Sequence, residues 1–164
     1  TNIFYTIYTN LHTNTAYSSL ATQITKIFPI TLNTFIIPTI YGRFIFNDGI
    51  PFMYSNVIGG EGYNPHYEQQ IPFSGLTHTE STLKLLGNAQ IQVRHKFHEK
   101  QYLTLSGNYA IHQNQFSNFL QGKKIYGTSI GYGYDSPLGP IEGFICYSNR
   151  TNKLGFYLNI GFGF

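Results

Sequence analysis

The chain has 164 residues, of which 10% are charged and 17% aromatic, with a formal net charge of +3. An average soluble domain is about 25% charged, and so small a positive charge gives no case for a nucleic-acid partner. The longest wholly apolar run is about four residues where a membrane-spanning helix needs about 20, so helical spans are excluded. Mean hydropathy is nevertheless only slightly negative. Few charges, many Tyr and Phe, and abundant Gly, Asn and Thr are the composition of a transmembrane β-barrel, whose strands alternate between lipid and water. Cys146 is the single cysteine, so no intrachain disulfide and no cysteine-based metal site can form, and no cofactor is expected. The sequence begins at Thr1 without Met or signal peptide. For an outer-membrane protein, which must cross the inner membrane, that pattern is expected of a processed chain or an excised piece.

In chain order, strands are expected at 3–11, 16–26 and 34–46, the last two alternating poorly. The segment from Asn47 to Thr82 follows, rich in glycine and proline (Gly49, Pro51, Gly59, Gly60, Gly62, Pro65, Pro72, Gly75). A connection that long is functional or disordered, and its many aromatics argue against a solvated linker. His66 and Glu68, with Glu61 nearby, make a weak acid/base or metal constellation, for which loop packing is the better reading.

Residues 85–97 alternate more cleanly. Leu85, Ala89, Ile91, Val93 and Phe97 share one face; Asn88, Gln90, Gln92, Arg94 and Lys96 share the other. Two cations on that polar face are too many for a packed core and ordinary for a water-filled interior. His95 and His98 stand three apart, on opposite faces of a strand, and read as a polar strand end rather than a metal site. In 101–111, Leu103, Leu105, Tyr109 and Ile111 oppose Thr104, Ser106, Asn108 and Ala110. Ser106 and His112 share a face, but six residues of strand separate them by about 20 Å.

The stretch at 127–131, Gly-Thr-Ser-Ile-Gly, matches the G-x-S-x-G of a serine hydrolase, with Asp135 close behind. A nucleophile elbow requires strand, tight turn and helix in succession. Here alternation continues through 121–135, with Tyr126, Thr128, Ile130, Tyr132 and Tyr134 opposite Gly127, Ser129, Gly131 and Gly133, and a proline-containing turn follows. Ser129 is therefore expected to face a barrel interior, and the chain is not expected to be an enzyme. Alternate glycines fit a crowded interior or a strongly curved strand. Strands at 138–149 and 153–164 complete the pattern, and the last is the clearest. Leu154, Phe156, Leu158, Ile160, Phe162 and Phe164 face one way; Lys153, Gly155, Tyr157, Asn159, Gly161 and Gly163 face the other.

This gives an all-β chain of about eight antiparallel strands, each at least as long as the ~9 residues a tilted membrane strand requires. If the C-terminus is periplasmic, 98–100 and 135–140 are periplasmic turns, and 113–120 and 149–152 face outside. The 47–82 segment then lies outside or folds into the lumen.

Several stretches carry a resemblance: Ile58-Gly59-Gly60, Gln70-Ile71-Pro72-Phe73, Ser136-Pro137-Leu138-Gly139-Pro140 and Ser148-Asn149-Arg150-Thr151. Over residues 30–164 the sequence resembles the C-terminal barrel of the patatin-like phospholipases of Bacteroidetes-type bacteria. That barrel is similar to the bacterial surface antigen barrels of the outer-membrane assembly and translocator superfamily. The resemblance implies an outer-membrane location and a sixteen-stranded barrel with a lumen loop between its eleventh and twelfth strands. The 47–82 segment falls there when strands are counted back from Phe164, so the chain would be the C-terminal half. The implied function is a membrane barrel that anchors, and helps translocate, an upstream lipase domain whose catalytic residues lie outside this sequence. The alternative is a self-contained small barrel with a structural or adhesion role.

The implied partners are the lipid bilayer, the outer-membrane assembly machinery, and either upstream strands or a second copy to close the barrel. Phe164, Phe162 and Tyr157 are the expected structural and sorting residues, and Gly59, Gly60, Glu61 and Tyr63 the lumen-loop residues. Superfamily loops carry an Arg in a Val-Arg-Gly-aromatic motif after the paired glycines. Glu61-Gly62-Tyr63 stands there instead, which removes the arginine latch of transporting members.

Overall fold

A computed structural model describes residues 2–10, 15–46, 54–60, 69–76, 78–137 and 139–161, with side chains from Ser18 onward. Eight long strands are present: β1 (Asn2–Asn10), β2 (Thr15–Thr25), β4 (Thr34–Ile45), β8 (Leu85–His98), β9 (Gln101–Gln113), β10 (Lys123–Ser136), β11 (Gly139–Ser148) and β12 (Leu154–Ile160). Two-residue strands β3 (Phe28–Pro29), β5 (Val57–Ile58), β6 (Gln70–Ile71) and β7 (Glu80–Ser81) lie between them. The long strands pair antiparallel in the order β1-β2-β4-β8-β9-β10-β11-β12, with β3 extending the pairing of β4. Among the described residues the sheet is not closed, and β1 and β12 are its edges.

Alternation dictates the two faces. On β9, buried positions run through Tyr102, Thr104, Ser106, Asn108, Ala110 and His112, while Leu103, Leu105 and Tyr109 are exposed. Register carries this across the sheet: Ser106 pairs with Ser129, Ser129 with Cys146, and Cys146 with Gly155. The small and polar side therefore forms one continuous inner face. Ile91, Leu105, Ile130, Ile145 and Phe156 populate the outer one and are each more than half exposed. A soluble sheet would hide so many apolar side chains; a lipid-facing sheet has no reason to.

The poorly alternating β4 is a strand all the same, because both its faces meet apolar surroundings. Tyr41 and Ile45 turn toward the inner packing, and Phe44 lies against aromatic rings on the outer side. Pro38 sits inside this central strand, where a missing N–H ordinarily breaks a ladder. Its carbonyl accepts from the Lys26 N–H at 3.2 Å, so the absent donor faces the gap between the end of β2 and the start of β3.

One element departs from expectation. Residues Phe116–Gln121, expected as part of an external loop, form a 3-10 helix. A β-bulge or irregularity lies between Lys96 and His98, next to the tight turn into β9.

Candidate functional site: a segment docked on the inner face

The connection between β4 and β8 folds back over the inner face. Its two-residue strands make a small sheet of their own, β5 parallel to β6 and antiparallel to β7. Ile58, Ile71, Phe73 and Leu76 from this segment pack with Leu86 of β8, Ala110 of β9 and Ile125 of β10 into one buried cluster. Phe73, Ile58 and Leu86 are wholly buried. Burying side chains of this size contributes roughly 1.5–3 kcal/mol each, so the segment is held as a packed element and does not hang as a tether.

Polar contacts fix its register. Arg43 on β4 donates to the carbonyls of Tyr54 and Ser55, both at 3.3 Å, and to Asn56 Oδ1 at 3.1 Å. Asn56, itself wholly buried, donates to the carbonyls of Leu83 and Lys84 at 2.8 Å. These bonds staple the beginning of the described segment to its end.

Gly59 and Gly60 form the turn between. Their φ values of 119° and 78° favour glycine, and a Cβ on Gly59 would collide with the His78 carbonyl. The Gly59 carbonyl accepts from Gln70 Nε2 at 2.8 Å, and the Gly60 N–H donates to Leu76 at 2.6 Å.

The tip, Pro72-Phe73-Ser74-Gly75, touches the barrel wall. Three hydroxyls converge there: Ser74 with Ser106 at 2.9 Å, Ser106 with Ser129 at 2.6 Å, and Ser129 with Ser74 at 3.2 Å. Gly127 lets the Ser74 carbonyl lie flat on β10, where any Cβ would collide with it. Gly75, with φ 84°, lies against the Tyr147–Ser148 backbone of β11 in the same way. Beyond the tip, Glu80 and Arg150 form a half-exposed ion pair at 3.0 Å.

The Gly-Thr-Ser-Ile-Gly stretch thus lies within a 14-residue strand, and Ser129 is buried against two other serines. That is an interlock, built where an elbow would need a turn into a helix.

Farther along the inner face, toward the 98–101 turn, the alternate glycines find their explanation. Gly131 makes room for the Phe144 ring and Gly133 for the Tyr102 ring. Tyr102 then donates to the wholly buried Glu142 at 2.8 Å, and Arg94 approaches the same carboxylate at 3.6 Å while lying over the Tyr102 ring at 4.5 Å. The network ties β8, β9 and β11 together across the bare backbone of β10. Between it and the docked tip lies a cavity of about 290 Å³ lined by Gln23, Gln90, Gln92, Thr104 and Phe144, among others.

Of the residues the sequence singles out, Gly59 and Gly60 sit at the turn of the docked segment and Tyr157 is half-buried on the inner side of β12, paired with Phe144. Glu61, Tyr63, His66, Glu68, Phe162 and Phe164 lie outside the described residues. Sequence reasoning passes over Arg43, Asn56 and Ser74, and takes Arg94 only as a lumen cation without its partner Glu142. Arg43 carried a usable signal, as a charge inside an otherwise apolar strand.

The sheet has an apolar outer face and a polar inner face, and the sequence model of the OMP85 superfamily matches residues 2–164. The chain belongs to the OMP85 superfamily. It is an outer-membrane β-barrel protein of bacteria. No curated protein matches it. The docked segment packs on the inner face of this sheet. No arginine is present in its sequence between Asn47 and Thr82. The guanidinium that fastens it comes from the wall, Arg43, and the acceptors come from the segment.

Proposed function

We propose that this chain is the C-terminal half of a sixteen-stranded outer-membrane barrel that anchors an upstream patatin-like lipase domain, with its lumen plugged. The observation that carries the half-barrel reading is the segment docked between β4 and β8. In a closed eight-stranded barrel the interior is filled by side chains of the strands themselves. Phe73, Ile58, Ile71 and Leu76 could not also fit. The sheet edges at β1 and β12 must be paired in a membrane, and upstream strands of the same polypeptide fulfil that need with one chain.

The lipase attachment rests on the sequence resemblance at 58–60, 70–73, 136–140 and 148–151. Anchoring is favoured over export because the plug is fixed by a buried apolar cluster and its own hydrogen bonds, with no arginine in its own sequence. Phe164, with Phe162 and Tyr157, would serve as the assembly machinery's recognition signal.

The test is fractionation of cells producing the full-length protein. Phospholipase activity is expected in the outer-membrane fraction, and deletion of the strands described here is expected to release it to the soluble fraction. Activity absent from both fractions would leave the barrel without the proposed cargo and favour a structural role.

A further inference from the structure

The 3-10 helix Phe116–Gln121 does not stand off the sheet; it lies back on the outer face. A Cβ on Gly87 would come within 3.1 Å of the Phe119 ring. Phe44 packs edge-on to Phe119 with centroids 6.3 Å apart and tilted against Phe116 at 5.6 Å, and Phe46 stacks on Phe116 at 6.3 Å. Leu85, in register with Phe44 on this face, is only 1% exposed.

Beside the exposed Ser117, Asn118 and Gln121, the helix presents two apolar side chains, with Phe116 58% and Leu120 75% exposed. Buried Gly122 then turns the chain into two exposed cations, Lys123 and Lys124. Lys124 is on the outer face, in register with Ile111 and through it with Gly87, whereas Lys123 is in register with the buried His112 and starts on the inner face.

An aromatic, apolar segment reclining on a lipid-facing wall beside an outward lysine is complementary to a lipid with a negative headgroup. Aromatic rings settle at the interface, acyl chains cover the apolar side, and each basic residue near the surface adds attraction for anionic lipid. We propose that Phe116, Leu120 and Lys124 form a site for an anionic, phosphate-bearing lipid in the leaflet at this end of the barrel. Its chains lie against Phe116 and Leu120, and its headgroup sits on Lys124. The inference rests on the membrane-barrel reading, but not on the lipase attachment.

These 164 residues have no tryptophan, so with any tryptophan elsewhere in the full-length protein replaced by phenylalanine, a single introduced indole reports its own surroundings. Phe116→Trp is placed in the full-length protein, reconstituted in mixed vesicles of phosphatidylglycerol and phosphatidylcholine with bromine on the acyl chains of one lipid or the other. Leu105→Trp, in the middle of the outer face, serves as the reference. The expected result is quenching of both reporters. At position 116, brominated phosphatidylglycerol should quench about fivefold more strongly than brominated phosphatidylcholine, the scale of one basic residue at an anionic surface. In Lys124→Gln the two lipids should quench equally, whereas Lys123→Gln, on the inner face, should leave the preference in place.

Equal quenching by both lipids in the parent would overturn the headgroup site. A quenched position 105 with a water-exposed position 116 would overturn the lipid contact altogether and point to a protein partner. Failure of quenching at both positions would remove the membrane-barrel reading along with it.

Discussion

Gly127 and Gly107 are both strand glycines, yet their surroundings differ in kind. A Cβ at Gly127 would strike the Ser74 carbonyl, whereas at Gly107 the nearest atom would be Ile91 Cγ2 at 3.9 Å. Gly127→Ala therefore forces the docked tip off β10, and overpacking of this kind costs about 1–3 kcal/mol. Gly107→Ala should be neutral or stabilising, since glycine inside a strand costs about 0.5–1 kcal/mol relative to alanine. Urea unfolding in lipid vesicles compares the two, and protease cutting within 69–82 should rise only for Gly127→Ala. Tyr102 offers a second contrast. Its hydroxyl is the hydrogen-bond donor to Glu142, whose other oxygen has no partner among the described residues. Tyr102→Phe leaves the ring packed on Gly133 and Arg94 but strips a buried carboxylate of its donor. A loss of about 1.5–3 kcal/mol is expected, the usual worth of a hydrogen bond to a charged group. Unchanged stability on the same urea axis would mean that Arg94 alone balances Glu142.

Among the elements, how far each was legible from the sequence depended on how many different surroundings it meets. β9, β10 and β12 see lipid on one side and small or polar neighbours on the other, so their two-residue period survives in the sequence. β4 was harder to read because the docked segment makes its inner side apolar too, around Tyr41 and Ile45. Pro38 compounds that, being tolerated only because β2 stops opposite it. The 3-10 helix left no periodic trace in six residues; its signal was Phe119 over the wall glycine Gly87, a contact between residues 32 apart in the chain. The docked segment was recognisable as a long insertion, but its fastening was not, because Arg43–Asn56 and Ser74–Ser129 join residues far apart in sequence. Those contacts are not equal in worth. Phe73→Ala removes a wholly buried ring and should cost about 3–5 kcal/mol, freeing the segment and raising single-channel conductance in planar bilayers. Arg150→Gln breaks a half-exposed ion pair and should change stability by less than about 1 kcal/mol, with conductance unaltered. If Arg150→Gln opened the channel and Phe73→Ala did not, the plug would be held from its outer rim and not by its core.

For the whole molecule, the unsolved element is closure. β1 is paired on one side by β2, β12 on one side by β11, and each exposes a ladder of backbone donors and acceptors that hydrocarbon does not tolerate. Three closures are physically available: β1 to β12 of the same chain, β1 to β12 of a second copy, or both edges to other strands of a longer polypeptide. They differ in which cysteine pairs can meet. With the buried Cys146 replaced by serine, cysteines at Tyr5 on β1 and Leu158 on β12, both in register with outer-face positions, would join within one chain in the first case. In the second they would join two chains. In the third, neither bond forms under oxidation in the membrane, although a control pair across the β11–β12 ladder, Ile145 and Phe156, which are partners in register, does form. The third outcome is expected, because self-closure over eight strands would have to expel Phe73, Leu76 and Ile58 from an interior with no room for them. A monomeric Tyr5–Leu158 bond with the segment still protected from protease would show that eight strands can enclose it, and the half-barrel proposal would fall.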